Sequence, residues 1–330
     1  MRTLGLKVRM FLVIGLLFAI LFALFAGIAY LFGYFQPWVF VIMAVGIMAI
    51  QYFTGPYLVG WTMKVKYVTP YEEPRLHGIV DNLVLKLGID KPKVGVSHVK
   101  VPNAFAFGRW KKDARVVVTK PLLEKLDDGE LEAIMGHELS HVVHRDMIIM
   151  TAISVVPLIC YYIFLSLVWG GMGAGGNRNA GYAVLIGLAA FAMYFLTNLL
   201  VLYISRSREY YADAGSAELT NQPHNLASGL YKLILASKDI DERALHQVEG
   251  IRGFFATDPS KAKGEIRMLI EADLNRDGKL DEYEVKRFVE QAKTKKFSAL
   301  AEIFSTHPNP VKRIIKLGEM YEDNTYRIRI

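Results

Sequence analysis

Hydrophobic and polar positions are distributed very unevenly along the chain. No charged residue occurs between Arg9 and Lys64, a stretch long enough as helix to cross a ~30 Å hydrocarbon layer about twice. A break is available at Gly33-Tyr34-Phe35-Gln36-Pro37, with Trp38 as an interfacial residue after it. The pattern therefore predicts spans near 10–32 and 38–58. The first run is too long for a secretory signal, and a second apolar run follows it directly. Two further uncharged runs, Met147–Trp169 and Tyr182–Ile204, flank the glycine-rich link GGMGAGGNRNAG. Four transmembrane helices are expected.

The polar region from 64 to 146 mixes periods. Leu76, Val80, Leu83 and Leu87 share one helical face behind Pro70 and Pro74. The runs KVGVSHV, NAFAFGRW and ARVVVTK read as strands of a small sheet, with a turn at Lys111-Lys112-Asp113. PLLEKLDD reads as a short helix, and Asp127 or Asp128 can cap the next, which begins near Gly129. The region from 205 onward has mostly helical spacing, with a shift toward charge between about 239 and 297. The expected divisions are 1–63, an N-terminal membrane hairpin; 64–146, sheet and metal helix; 147–204, a second membrane hairpin; and 205–330, a helical region carrying an insert at about 239–297.

Composition and charge add orientation. Of 330 residues 52% are hydrophobic and the net charge is +7. Arg2, Lys7 and Arg9 precede the first span, Lys64 and Lys66 follow the second, Arg145 precedes the third, and Arg206 and Arg208 follow the fourth. The short links on the other side carry only Arg178. Excess positive charge stays cytoplasmic, so both termini and both polar regions are placed in the cytoplasm. That accounts for the net charge without a nucleic-acid partner, and Lys111-Lys112 reads as a solvated face near anionic lipid. The single cysteine, Cys160, excludes an intramolecular disulfide and reads as a small buried hydrophobe.

The chemistry is concentrated in GHELSHVVHRD, residues 136–146. His137 and His141 are about 400° apart on a helix and so share a face. Glu138 lies between them, the H-E-x-x-H arrangement of a zinc hydrolase with its general base. Two histidines leave a catalytic zinc one protein ligand short. A third histidine at the metzincin spacing is excluded, because His144 and Met147 occupy the positions needing Gly and His. A later glutamate is the other solution, and SRSREYYADAGSAEL, residues 205–219, offers Glu209 as third ligand. Asp213, one turn on, is expected to accept the free N–H of a ligand histidine. His141 precedes the third span and Glu209 follows the fourth; if both helices continue, the two stand ~9 Å and ~7.5 Å beyond the apolar runs.

The motifs HELSH…RD, SRxREYxAD, PNAFAFG and THPxPxxRI occur in this chain with two spans between the first and second. In this the chain resembles the HtpX-like membrane zinc metalloproteases, relatives of the CAAX prenyl endopeptidases. The resemblance covers nearly the whole chain. It implies a gluzincin-type endopeptidase with one catalytic zinc on His137, His141 and Glu209, and Glu138 as general base. It also implies that Asn103 with the strand residues Ala104 and Phe105 binds the substrate backbone, and that His307 stabilises the tetrahedral intermediate. His144, and HPNP in place of HPP, depart from the family pattern without touching the ligands.

One loop lies outside what the family leads one to expect. DLNRDGKLDEYE, residues 273–284, follows the EF-hand calcium pattern. Asp273, Asn275 and Asp277 offer side-chain oxygens, Gly278 the sharp turn, Lys279 its carbonyl, Asp281 a direct or water-borne contact, and Glu284 a bidentate carboxylate. Calcium is thus a second expected ion. A lone loop of this kind binds weakly or pairs across a dimer. His77, His98, His224 and His246 have no site-like spacing.

The fold class expected is a mostly α membrane protein: four transmembrane helices with a cytoplasmic gluzincin-like α+β metalloprotease domain and an EF-hand-like insert. The expected function is zinc endopeptidase action on polypeptides, membrane proteins among them, at the cytoplasmic face of the cell membrane, in quality control of damaged or misfolded proteins. Two alternatives stay open: a specific processing peptidase, and a calcium-responsive membrane scaffold with structural zinc.

Overall fold

The computed structural model describes residues 2–32, 37–173, 178–238, 263–292 and 303–323. The expected break at 33–36, the centre of the glycine link, most of the insert's flanks and His246 lie outside these residues. In chain order the helices and strands are α1 (Arg2–Phe32), α2 (Pro37–Thr62), β1 (Val65–Tyr67), α3 (Pro74–Leu87), β2 (Lys93–Ser97), β3 (Ala104–Phe107), β4 (Arg115–Thr119), α4 (Lys120–Lys125), α5 (Asp128–Val143), α6 (Asp146–Gly173), α7 (Arg178–Thr220), α8 (Pro223–Lys238), α9 (Lys263–Ala272), α10 (Glu282–Ala292) and α11 (Pro310–Asp323). The chain divides into two compact units: Met1–Gly55 with Ile148–Ser207, and Pro56–Met147 with Arg208–Ile330.

The first unit is helical and apolar. Leu17, Leu21, Ile28, Ala44, Ile153, Val156, Ile159, Cys160, Ile163, Ala190 and Ile204 form its interior. Phe11, Phe22, Ile42, Trp169 and Leu185 are exposed on its outside. An exposed apolar exterior on this scale needs a non-aqueous solvent. Among the described residues three helices are long and apolar enough to cross a membrane, over Val41–Thr62, Asp146–Trp169 and Gly181–Thr220; a shorter apolar stretch, Met10–Ala26, lies in α1.

The second unit is built around a four-stranded sheet of order β1-β2-β4-β3. β4 is central and wholly buried, which suits its Val116-Val117-Val118 run. It pairs parallel with β2 and antiparallel with β3, while β1, too short to stand out in the sequence, adds an antiparallel edge to β2. β3 forms the other edge. α3 runs from Pro74 at its start to Gly88, left-handed at φ 61°, past its end. Leu76, Val80 and Leu83 are buried, in a core shared with α4, α5, α8 and the later helices. Arg75 ties the elements that introduce α5: its Nη2 donates to the Leu126 carbonyl at 2.7 Å and its Nη1 to the Leu123 carbonyl at 3.2 Å. α5 starts with a full capping box, in which the Asp127 carboxylate accepts the Glu130 amide and the Glu130 carboxylate accepts the Asp127 amide. Such a cap contributes about 1 kcal/mol.

One expectation fails here. The metal helix does not run on into the third apolar run. α5 ends at Val143, Arg145 takes a left-handed φ of 57°, and a separate helix begins at Asp146. The ~9 Å rise inferred for His141 from a continuous helix therefore does not apply. α7, by contrast, is unbroken through both its apolar run and Glu209.

Gly108, between β3 and the 3-10 turn Lys111–Asp113, has φ 150°, and a Cβ there would run into the Asp113 carbonyl. Both the backbone conformation and the contact exclude a side chain. Gly108→Ala is expected to cost on the order of 2 kcal/mol or more, lowering the thermal midpoint of the detergent-solubilised chain. Gly78→Ala, on the open face of α3 with nothing near a new Cβ, should leave that midpoint unchanged or slightly raised. Equal midpoints for the two variants would refute the assignment.

Candidate metal centre

Two helices from distant parts of the sequence carry the candidate metal ligands, and small side chains let them meet. A Cβ on Gly215 of α7 would run into Ser140 Oγ of α5, and one on Gly136 would lie 3.3 Å from Ser216 Oγ. Ser216 Oγ donates to the Ala133 carbonyl at 2.6 Å. With the helix surfaces this close, short functional side chains reach across the seam.

His137, His141 and Glu209 form a cluster in which one ligand atom of each lies within 4.8 Å of the others. The two imidazole Nε2 atoms are 3.2 Å apart, with their rings nearly perpendicular at 89°. Glu209 Oε1 lies 3.5 Å from His141 Nε2, and Oε2 lies 3.6 Å from His137 Nε2. Oε2 is buried without a well-aligned hydrogen bond, although His307 Nδ1 and Arg313 Nη1 each come within 3.2 Å. Glu138 is buried beside His137 on α5.

Each histidine has its own carboxylate, and each carboxylate its own arginine. His137 Nδ1 faces Asp213 Oδ1 at 3.0 Å. Asp213 accepts from Arg313 Nη2 at 2.6 Å and from Nε at 2.9 Å. His141 Nδ1 faces Asp146 Oδ2 at 2.7 Å, and Asp146 pairs with Arg208. Arg208 also donates through Nη2 to the His144 carbonyl at 3.0 Å, which ties down the end of α5. The structure places Asp213 within hydrogen-bonding distance of His137. Asp146, Arg208 and Arg313 carry roles that the sequence reading did not assign. Asp146 was hidden by geometry. Five residues along a continuous helix it would point about 140° away from His141; the left-handed Arg145 brings it back. Arg208 and Arg313 stood within recognised motifs, but nothing in their spacing identified their partners. His144 is exposed at the end of α5, its Nδ1 at 2.8 Å from the Ser140 carbonyl, and is not in the cluster.

The charges show what this arrangement lacks. Glu138, Glu209, Asp213 and Asp146 are all buried, as are Arg208 and Arg313. Four carboxylates against two guanidiniums leave a formal charge of −2 while the imidazoles are neutral. Burying uncompensated charge is costly. Burial opposes a proton on His137, but hydrogen bonds to Asp213 and Glu209 overcome it and push its pKa up to about 9. His141 stays below the ordinary histidine value, because burial and the neighbouring His137 outweigh Glu209. A divalent cation in contact with two imidazoles and one carboxylate would cancel the deficit that a proton covers only in part. Three protein donors leave one coordination position open, the pattern of catalytic zinc.

The residues expected on the substrate side lie on neighbouring elements. Asn103 is buried just before β3, its amide donating to Thr119 Oγ1 and its carbonyl accepting the Thr119 amide, both at 2.8 Å. Ala104 and Phe105 open β3, which packs beside α5. Among the other histidines, His77 is buried with Nε2 at 2.9 Å from the Val68 carbonyl, and His224 bonds Tyr321; both are structural.

The Peptidase family M48 model matches residues 70–321, which takes in α5, Glu209, the 273–284 loop and Arg313. The chain is 46% identical over 253 residues to the protease HtpX homolog of Methanothermobacter thermautotrophicus, covering 77% of this chain and 95% of that one. It is 35% identical to the protease HtpX homolog 2 of Methanosarcina mazei, covering 98% and 97%. The crystal structure of S. mikatae Ste24p aligns at TM-score 0.48 and 17% identity over 95% of this chain and 67% of that one, a likeness too loose to bear on the site. With the family match spanning the metal cluster and the apolar helices adjoining it in sequence, the chain belongs to peptidase family M48 and is a membrane-bound metalloprotease.

Proposed function

We propose that the chain is a zinc endopeptidase that hydrolyses peptide bonds at the cytoplasmic face of the cell membrane and degrades damaged or misfolded membrane proteins. The supporting observation is the buried cluster of two imidazoles and one carboxylate, with a formal charge of −2, and Glu138 beside it. Four transmembrane helices, α1 among them, complete the reading, with both termini and the catalytic region cytoplasmic because the positive flanks lie on that side. The segments 1–63, 64–146, 147–204 and 205–330 are its working parts. The charged insert at 239–297 carries an EF-hand-like loop with calcium as its ion.

In this reading His137, His141 and Glu209 hold the zinc, which supplies Lewis acidity for activating water and polarising the scissile carbonyl. Asp213 and Asp146 fix the two imidazoles so that each presents Nε2 to the cluster. Arg313 and Arg208 keep those aspartates ionised and oriented. Glu138 takes the proton from the attacking water and delivers it to the departing amine. His307, with Nδ1 3.2 Å from Glu209, would stabilise the oxyanion that develops on the scissile carbonyl. β3 ends the sheet order, so an extended peptide can align along its edge beside Asn103, Ala104 and Phe105 through main-chain hydrogen bonds. That accommodates varied sequences.

Glu138→Gln is expected to keep one zinc per chain by elemental analysis while peptide cleavage falls at least a hundredfold. Cleavage at the wild-type rate would refute the base assignment. Stripping the wild type with a chelator should abolish cleavage, and adding zinc back should restore it. Arg313→Ala leaves two buried carboxylates short of a counter-charge. It should cost on the order of 3–5 kcal/mol of stability and lower zinc retention in the fraction that stays folded. Wild-type retention and thermal midpoint would show that Arg313 does not support the cluster.

A further inference from the structure

The loop between α9 and α10 takes no part in this chemistry, yet it is docked on the start of the zinc helix. Lys279 Nζ donates to the Asp127 carboxylate at 2.6 Å, and Asp127 is the N-cap of α5. The Leu280 amide donates to Ser228 Oγ at 3.0 Å, and that hydroxyl donates to Glu130 Oε1 at 2.7 Å. The loop therefore holds Asp127 of the α5 capping box directly and Glu130 through Ser228 of α8. Leu280 is itself buried in the main core. At the loop's other end, α10 packs on α11: a Cβ on Gly318 would meet Val285 and Val289. α11 carries Arg313.

Asp273 is the residue that calls for an ion. It is 6% exposed. Its Oδ2 accepts from the Gly278 amide at 3.0 Å and from Tyr231 Oη at 3.2 Å, whereas its Oδ1 is buried with no hydrogen-bond partner. A buried carboxylate oxygen without a donor is costly, and a hard cation removes that cost. The surrounding positions match an oxygen cage. Gly278, at φ 79°, makes the turn at the sixth position. Glu284, at the twelfth, has Oε1 on the Leu274 amide at 2.8 Å and Oε2 on the Asp281 amide at 3.1 Å. Chelation by both oxygens competes with these partners, and Glu284 lies in the first turn of α10.

We infer that residues 273–284 form a calcium site whose filling acts on both supports of the zinc centre, the cap of α5 and the helix that carries Arg313. The donors are Asp273 Oδ1, Asn275, Asp277, the Lys279 carbonyl, Asp281 and Glu284. Calcium pulls Glu284 inward and re-seats the first turn of α10, which shifts α11 against Val285 and Val289 while the loop grips Asp127 and Glu130 more firmly. The ion site stands apart from the proteolytic reading; its effect on the zinc centre rests on that reading.

The test uses the zinc-loaded full chain in detergent, with calcium chloride titrated by calorimetry. One calcium per chain should bind at submillimolar concentration. Glu284→Gln should weaken binding at least tenfold, and so should Asp277→Asn at an exposed position that leaves the fold intact. No calcium heat up to millimolar ion, or unchanged affinity in both variants, would overturn the site. Hydrogen exchange then reads the coupling: calcium should slow the amides of 129–132 in the wild type, and that slowing should be lost in Ser228→Ala, which removes the hydroxyl joining the Leu280 amide to Glu130, while calcium affinity stays within a few-fold. Calcium binding with no change in exchange at 129–132 would overturn the coupling and leave the site and the proteolytic reading standing. Loss of cleavage in Glu138→Gln with calcium binding unchanged would separate the two readings from the other direction.

Discussion

The arrangement depends on how buried charge is balanced around two imidazoles. His137 is buried and His141 only 18% exposed, so an aspartate beside each, rather than bulk water, meets its Nδ1, and each aspartate pairs with its own arginine. Removing one arginine would leave a carboxylate without compensation where the dielectric is low, and that costs far more than a surface ion pair is worth. The two relays come from separate elements, α7 with α11 and α6 with α7. Four parts of the chain must therefore be in place before the donor atoms converge. Metal binding and folding of this region are thereby linked.

Much of this was legible in the sequence. The H-E-x-x-H helix follows from a spacing of four, and Glu209 from the need for a third donor. The membrane-scale apolar runs follow from their length. The three longer strands are visible in alternating or β-branched runs bounded by turn residues. What was not legible depended on how the chain departs from regular periodicity. Asp146 sits at an offset that a continuous helix forbids, and only the left-handed Arg145 makes it a partner for His141. The pairing of Arg313 with Asp213 joins residues 100 apart, and local pattern carries no information about such a contact. β1, three residues long, gave no periodic signal at all.

α5 is held at both ends by unrelated devices. At its start the capping box is gripped by Ser228, Lys232 and Lys279 from α8 and the acidic loop. At its finish the His144 carbonyl is held by Arg208. A helix clamped in this way cannot slide along its axis, so the register of His137, Glu138 and His141 against Glu209 is fixed. The buried Glu130 is occupied by a hydroxyl and an ammonium as well as its own capping amide. This part of the domain, though distant from the chemistry, is built as tightly as the cluster itself.

The contact of Gly136 and Gly215 with Ser140 and Ser216 has a further consequence. A methyl group added at Gly215 would run into Ser140, the residue before His141, and so would displace the stretch of α5 that presents that imidazole. Helix spacing, set by residues with little or no side chain, thereby governs how near Glu209 comes to the two imidazoles.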